Sequence, residues 1–360
     1  MNAALTRWFR VIVILACVLP LLAASTADAD MRTQAQSIIN ASDLRKTRVG
    51  VYIYDADRQQ ALVDINADEP MIPASNMKVL TSAAALQTLG PDFIFRTELR
   101  MLPVEGAVGY RLAVIGDGDP AFGDASLLAR HGLDNEKLLD AWVQAVVATG
   151  VRQFDQIIID DRVFDQDFVH SSWPADQLNQ WYCAQVAGLN FNDNCLDLLP
   201  EPTRDGQTVR VTIWPEVPIL NITNRATTGG ADTFWVSRRS GSNDMTFYGK
   251  VKSRRTRPIN VTIHDPPLFF GELLRHRLSQ VNIVVKEVVR PPAQMQMPRG
   301  RTLHVMQTTI DQVLDRCNKD SQNLFAEALF KRMGRKMTGQ PGSWENGSAA
   351  MRHFLHNRLG

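Results

Sequence analysis

Hydrophobic and polar positions single out one stretch early in the chain. Lys78 is followed at residues 79–89 by a run without any charge. A Gly-Pro pair at residues 90–91 then forms a stop signal, so the pattern predicts a helix of about four turns that ends just before this pair. Apolar side chains fall on more than one face of this helix, which is typical of a helix buried on most sides.

The rest of the pattern mixes strands and helices. Alternating residues predict a hairpin of strands 47–54 and 60–65, which leads into the Lys78 helix. Further strands are predicted at 96–101, 110–115, 156–159, 208–214 and 260–264, and further helices at 125–149, 267–280, 310–317, 324–333 and from 343 or 346 to 359. The order indicates an α+β protein in which a sheet packs on helices.

The length of 360 residues predicts two or more domains. The mixture of predicted strands and helices changes near residue 96 and again after a proline-rich linker that ends near residue 298. We therefore expect residues 30–95 and 298–360 to form one domain, into which residues 96–297 are inserted as a mixed α+β segment.

Residues 1–29 have the pattern of a signal peptide. Arg7 and Arg10 precede the apolar run 11–24, and Ala27-Asp28-Ala29 offers a cleavage site. The run is too short for an ordinary transmembrane helix. We expect cleavage near Ala29 and export to the periplasm.

Composition changes this picture little. Hydrophobic residues make up 44% and charged residues 21%, and the net charge of +1 gives no reason to expect a nucleic-acid partner. Residues 250–257 are basic. The simpler interpretation is a solvated edge strand, and the alternative is peripheral contact with an anionic wall polymer or a membrane surface.

The cysteines indicate whether a disulfide and a metal site are to be expected. Export implies an oxidising environment, so Cys183 and Cys195 are predicted to form a disulfide, which leaves Cys317 unpaired. Cys17, within a Leu-Ala-Cys sequence of the signal, is a weaker candidate for lipidation. Metal-binding spacings of Cys and His are absent from the sequence, so we expect no metal and no cofactor.

The start of the Lys78 helix carries candidate chemistry. Ser75 precedes Lys78 by three positions, which places the hydroxyl and the amine on the same helix face. A buried amine favours its neutral form, and a neutral amine accepts protons. The helix N-terminus also favours developing negative charge. These features describe an activated serine. The tetrad alone leaves open that Ser75 is a helix cap and Lys78 a surface lysine.

A second motif lies between two predicted helices. Ser321-Gln322-Asn323 forms a short polar link, which alone is better explained as a capping turn. Its value comes from its position after Ser-x-x-Lys, because penicillin-recognising enzymes combine such a serine box with a Ser-x-Asn loop and a Lys-Thr-Gly strand.

With both motifs in place, the chain resembles the D-alanyl-D-alanine carboxypeptidase/endopeptidases, the low-molecular-mass class C penicillin-binding proteins. Residues 73–78 are similar to the nucleophile box of that family, and residues 318–327 to its second box. Residues 116–120 and 186–194 are similar to its insert. The resemblance implies a penicillin-binding, β-lactamase-like catalytic domain, here at 30–95 and 298–360.

The resemblance also implies roles for the site residues. Ser75 would attack the carbonyl between two D-alanines of a peptidoglycan stem peptide, and Lys78 would take its proton. Ser321 would relay a proton to the departing D-alanine, and Asn323 would hold the substrate amide and orient Lys78. β-Lactams would act as covalent inhibitors of Ser75.

One feature of the family pattern is missing. No Lys-Thr-Gly, Lys-Ser-Gly or His-Thr-Gly follows Ser321, and the chain stops at Gly360 before the strand expected to carry such a box. We therefore expect a fragment or a truncated, inactive product. Two alternatives remain: an exported wall-binding protein without catalysis and, less strongly, a β-lactamase or esterase, for which the large insert is not needed.

Overall fold

The computed structural model describes residues 31–42, 47–104, 106 and 108–359, and the predicted signal peptide lies outside these residues. The chain divides into two compact units, residues 1–74 and 75–360. Within the described residues, no helix combines the length and the apolar character needed to cross a membrane.

The first unit contains a helix and a hairpin. Helix α1 covers residues 31–41. Strands β1 (Val51–Asp55) and β2 (Gln60–Ile65) pair antiparallel. The Asp55 carboxylate accepts the N–H groups of Asp57 and Arg58 and so stabilises the turn. The predicted hairpin is confirmed.

The second unit holds the remaining helices and strands. Its helices are α2 (Met77–Leu89), α3 (Ala125–Arg130), α4 (Asn135–Val147), α5 (Pro266–Ser279), α6 (Ile310–Lys319), α7 (Asn323–Thr338) and α8 (Trp344–Leu359). Its strands are β3 (Ile94–Pro103), β4 (Tyr110–Ile115), β5 (Gln153–Asp160), β6 (Cys195–Glu201), β7 (Arg210–Trp214), β8 (Asn221–Asn224), β9 (Thr227–Thr228), β10 (Trp235–Arg238), β11 (Asp244–Tyr248), β12 (Lys250–Val251), β13 (Ile259–Thr262), β14 (Val284–Val289) and β15 (Arg301–Thr309). The α+β class predicted from the sequence is confirmed.

A five-stranded mixed sheet is the centre of this unit. Its strand order is β14-β5-β4-β3-β15, with β14, β5 and β4 parallel and β3 antiparallel to both of its neighbours. The inner strands are apolar because both of their faces are covered. Helices α4 and α5 pack on this sheet around Trp142, Phe154 and Phe270, which are fully buried.

A layer of helices forms a separate core. Helices α2, α6, α7 and α8 pack together through buried residues that include Ala84, Ala85, Val313, Phe325 and Leu329. The small alanines of α2 allow α7 to approach closely. This layer joins the sheet where β15 runs into α6, and there the N–H of Ile310 donates to the carbonyl of Phe93 at 3.0 Å.

The boundary between β15 and α6 follows from a local signal. The Thr309 hydroxyl accepts from the N–H of Gln312, and the Gln312 side chain accepts from the N–H of Thr309, which forms a capping box. The predicted start of this helix is confirmed. The predicted domain boundaries remain a prediction, and the first of them falls inside β3.

Two predicted helix boundaries are wrong. The helix predicted at 125–149 is two helices, because Gly132 adopts a left-handed φ of 66° and Asp134 caps a new helix through the N–H of Lys137. Helix α7 continues past Gly334 to Thr338. A Cβ at Gly334 would overlap Asn346 of α8, so this glycine provides a close helix contact and not a stop.

Helix α2 is less buried than its sequence predicts. One face packs on the other helices through Ser82, Ala84 and Ala85, whereas Val79 is 63% exposed and Leu86 is 38% exposed. The prediction of a helix buried on most sides is therefore wrong for the described residues.

The two insert motifs of the sequence meet in a tightly packed junction. The N–H of Gly118 donates to the carbonyl of Gly188 at 2.8 Å, and the Asn190 side chain donates to the carbonyl of Asp119 at 3.2 Å. A Cβ at Gly188 would overlap the carbonyl oxygen of Asp161. Glycine is required there because three backbone segments approach each other.

Candidate active site

Ser75 lies in a single 3₁₀ turn, Ala74–Asn76, which runs directly into α2. Its neighbour Ala74 has a φ of 45°, which is the left-handed region that residues with a Cβ seldom adopt. Such backbone strain is frequent at functional sites. Ser75 is exposed, so its hydroxyl is accessible to a substrate.

Lys78 lies one turn further along and is 8% exposed. Its Nζ donates to Ser75 Oγ at 3.2 Å and to Asn323 Oδ1 at 2.6 Å. Among the described residues, no carboxylate forms a direct ion pair with this amine. The structure therefore brings together three of the four residues that the sequence singled out.

Asn323 reaches Lys78 from the first turn of α7. Its Nδ2 donates to the backbone carbonyl of Tyr182 at 2.8 Å, which fixes the amide so that its oxygen faces Lys78. The sequence could not indicate Tyr182, because the group that acts is a backbone carbonyl that any residue provides.

Ser321 occupies the link between α6 and α7. Its φ of 55° is left-handed, so both serine motifs contain a residue in this region of backbone conformation. In the part of the chain that the structure describes, no hydrogen bond joins its hydroxyl to Ser75, Lys78 or Asn323. The proton-relay role predicted for Ser321 stays a prediction.

A second contact fixes α2 against α6 one turn behind Lys78. The Ser82 hydroxyl donates to Asn318 Oδ1 at 3.1 Å and lies 3.9 Å from Cys317 Sγ. Burial raises the pKa of the Cys317 thiol, so this residue remains a neutral packing group. These contacts hold the Lys78 turn of α2 close to the loop that carries Asn323.

The predicted disulfide is corrected by the structure. Cys183 and Cys195 are both free, buried thiols. The segment between them does not close a simple loop. Asn190 and Asn194 tie it into its own hydrogen bonds, and Cys195 begins β6, where it pairs with Thr262 of β13.

The site residues are not arranged for a metal. Across residues 31–42 and the later described ranges, no group of three or more His, Cys, Asp and Glu side chains could hold a metal ion. A cavity of about 790 Å³ lies beside Cys183, between β10 and β13, and its lining includes neither Ser75 nor Lys78.

Comparisons with known proteins found relatives that align with most of this chain. A D-alanyl-D-alanine carboxypeptidase of Actinomadura sp. (strain R39) is 28% identical over an alignment of 364 residues, which covers 93% of this chain and 64% of the relative. The D-alanyl-D-alanine carboxypeptidase DacB of Haemophilus influenzae is 22% identical over 89% of this chain and 67% of its own length. The chain thus spans about two thirds of the length of these relatives.

The fold is shared with a solved structure. Penicillin binding protein 4 (dacB) of Haemophilus influenzae superposes with a TM-score of 0.67 at 21% identity, over 86% of this chain and 67% of that one. The same protein complexed with a novel β-lactam gives a TM-score of 0.61 at 19% identity, over 86% and 66% of the two chains. The penicillin-binding fold predicted from the sequence is confirmed.

The sequence model of the D-Ala-D-Ala carboxypeptidase 3 (S13) family matches residues 31–360, which include the Ser75 turn, Lys78 and the Asn323 helix. The resemblance seen in the two serine motifs is therefore confirmed over nearly the whole chain, and this protein belongs to the D-Ala-D-Ala carboxypeptidase 3 (S13) family.

Proposed function

We propose that this protein is a serine-type D-Ala-D-Ala carboxypeptidase/endopeptidase that acts on peptidoglycan stem peptides through an acyl-enzyme on Ser75. The observation that carries the proposal is the position of Lys78 Nζ, 3.2 Å from Ser75 Oγ and 2.6 Å from Asn323 Oδ1. Membership of the S13 family supports the substrate class.

Acylation begins when Ser75 Oγ attacks the carbonyl carbon between the two D-alanines. Lys78 Nζ takes the hydroxyl proton, so the amine becomes an ammonium as the new C–O bond forms. The Ser75 N–H, in the turn that precedes α2, would donate to the developing oxyanion. One such donor contributes about 3 kcal/mol to acyl transfer in other enzymes.

Collapse of the tetrahedral intermediate breaks the C–N bond. The Lys78 ammonium passes its proton through the Ser321 hydroxyl to the departing D-alanine amine, which restores the neutral Lys78, and the shortened peptide remains as an ester on Ser75. Water then hydrolyses this ester and restores the serine. Asn323 binds the substrate amide and, through its oxygen, keeps the Lys78 amine beside Ser75.

A β-lactam mimics the substrate amide and would acylate the same hydroxyl. The relative from Haemophilus influenzae has been solved complexed with a β-lactam, and we extend this ligand class to Ser75. The signal-peptide pattern of residues 1–29 supports export to the periplasm, where the peptidoglycan substrate lies. N-terminal sequencing of the secreted chain would check this location, with a start just after Ala29 as the expected result.

Release of D-alanine tests the proposed reaction. The protein is incubated with a short peptide that ends in D-Ala-D-Ala, and the same peptide ending in D-Ala-L-Ala is the matched control. We expect release from the first peptide only, and none from the Ser75→Ala variant. A folded protein that binds the peptide without releasing D-alanine would instead support a wall-binding function.

A further inference from the structure

Helix α7 continues the candidate site beyond Asn323. Glu327 lies one turn after Asn323 and Lys331 one turn after Glu327, so the three side chains form one stripe along the helix. Asn323 contacts Lys78, and the stripe therefore places an acidic group one helical turn away from this contact. Nothing in the proposed reaction yet uses Glu327.

The Glu327 carboxylate is held in a fixed position. The indole N–H of Trp344, at the start of α8, donates to Glu327 Oε2 at 2.7 Å. Burial raises the pKa of Glu327, and the indole donor together with the charges of His170, Lys331 and Lys78 partly opposes this rise. Lys78 is one of the charges that act on this carboxylate, with a smaller effect than those of His170 and Lys331.

The neighbouring charges have their own partners. The Lys331 side chain is 0% exposed, and its Nζ donates to Asp165 Oδ1 at 2.7 Å and to the carbonyl of Asp167 at 2.6 Å. The same Nζ lies 3.7 Å from the centre of the Trp344 ring.

His170 also packs edge-on against the Trp344 ring, with 5.2 Å between ring centres. Asp165 thus balances Lys331. Among the described residues, Glu327 itself forms no direct ion pair, and the charges of His170, Lys331 and Lys78 act on it over longer distances.

We propose that Glu327 is a positioning residue whose carboxylate stabilises the ammonium that forms on Lys78 when this amine takes the Ser75 proton. The same principle operates in serine proteases, where a buried aspartate stabilises the cation formed on the catalytic base without taking its proton. No additional proton moves: one O–H bond of Ser75 breaks, one N–H bond of Lys78 forms, and Glu327 takes no proton from either group. The inference rests on the proposed acylation of Ser75.

The pH profile of acylation separates this role from a purely structural one. The acylation rate of a chromogenic penicillin is measured from pH 5 to 9 for the wild type and for Glu327→Gln, which keeps the shape and can still accept from Trp344. Because the ammonium loses its stabilising charge in the variant, we expect the maximal acylation rate to fall about tenfold. The acidic limb of the profile, which is the pH range in which the rate falls as the pH is lowered, should move about one pH unit to lower pH.

Two further variants complete the experiment. Glu327→Asp retains the charge, so its acidic limb should stay near that of the wild type even if its rate falls. Glu345→Gln removes an exposed carboxylate from α8 and should leave both the rate and the limb unchanged.

One result would overturn the role of Glu327, and another would overturn the proposed acylation of Ser75 on which this role rests. If Glu327→Gln lowers the rate equally at every pH, or leaves it unchanged, the electrostatic role is wrong. If the wild type itself is not acylated, the proposed function fails first, and the role of Glu327 falls with it.

Discussion

The contacts around Lys78 and the junction around Asn190 are both polar clusters that join segments far apart in the sequence. At the junction, Asn190 makes four hydrogen bonds, three of them to backbone groups of Asp119 and Ala187 and one to the Asn194 side chain. Around Lys78, both acceptors are side chains, and one of them is the exposed Ser75 hydroxyl. The first cluster is closed, and the second is open because it includes an exposed hydroxyl.

The two clusters differ in whether their polar side chains bond to the backbone or to other side chains. Backbone partners cannot move away or change protonation, so the Asn190 junction fixes the positions of three segments. Side-chain partners with an accessible hydroxyl leave one group ready to react. The comparison predicts that substitutions at the junction change stability, whereas substitutions around Lys78 change reactivity.

The largest expected effect follows from Lys78→Met. This change removes the proton acceptor but keeps the length of the side chain, and we expect the acylation of Ser75 by a penicillin to fall by about a thousandfold. The measurement is stopped-flow acylation at pH 7.5. Lys78→Arg is the matched control, because a guanidinium keeps the positive charge but stays protonated. Acylation by Lys78→Arg at the wild-type rate would exclude a role of Lys78 as base.

At the junction, Gly188→Ala should affect stability most. The added Cβ would overlap the carbonyl oxygen of Asp161, and we expect a loss of at least about 3 kcal/mol in the free energy of unfolding. Urea unfolding gives this value. Gly230→Ala is the control, because a Cβ there meets no neighbouring atom within 4 Å, and its effect should stay within about 0.5 kcal/mol. Equal effects of the two substitutions would show that the junction is not tightly packed.

A smaller, pH-dependent effect is expected at Asp119. Its carboxylate accepts from the Ala121 N–H at 2.9 Å and from the Thr308 hydroxyl at 2.6 Å, and burial raises its pKa from 3.8 to about 6. The folded state then binds this proton more tightly than the unfolded state. The carboxylate therefore contributes less to stability as pH rises from about 4 to about 6.

Asp119→Asn tests this sign. Asparagine cannot titrate, so the stability of the wild type relative to the variant should fall between pH 4 and pH 6, by no more than about 3 kcal/mol, and then stay constant. Urea unfolding of both proteins across this range gives the difference. A difference that is constant or rises with pH contradicts the raised pKa.

The sequence predicted the open cluster better than the closed one. Ser-x-x-Lys and Ser-x-Asn are short local patterns, and the side chains of Ser75, Lys78 and Asn323 that they singled out are joined by hydrogen bonds in the structure. Helix spacing explains the pairing of Ser75 with Lys78. The Tyr182 carbonyl and the contact of Trp344 with Glu327 depend on how distant segments pack, which no local pattern encodes.

The errors have the same origin. The disulfide between Cys183 and Cys195 was predicted from the expected oxidising compartment and from their spacing, and neither shows that asparagines fold the intervening segment. Gly334 resembles a helix stop, but packing against Asn346 keeps it inside α7. Strand β15 was not predicted, because its pairing with β3 is a contact between segments about two hundred residues apart in the chain.

The most direct test of the central claim is the site of covalent attachment of a penicillin. The protein is treated with a fluorescent penicillin, digested, and its labelled peptide is identified by mass spectrometry. The account predicts one adduct, on the Ser75 hydroxyl, which disappears in Ser75→Ala and forms much more slowly in Lys78→Met. An adduct on another residue, or labelling that persists in Ser75→Ala, would contradict it.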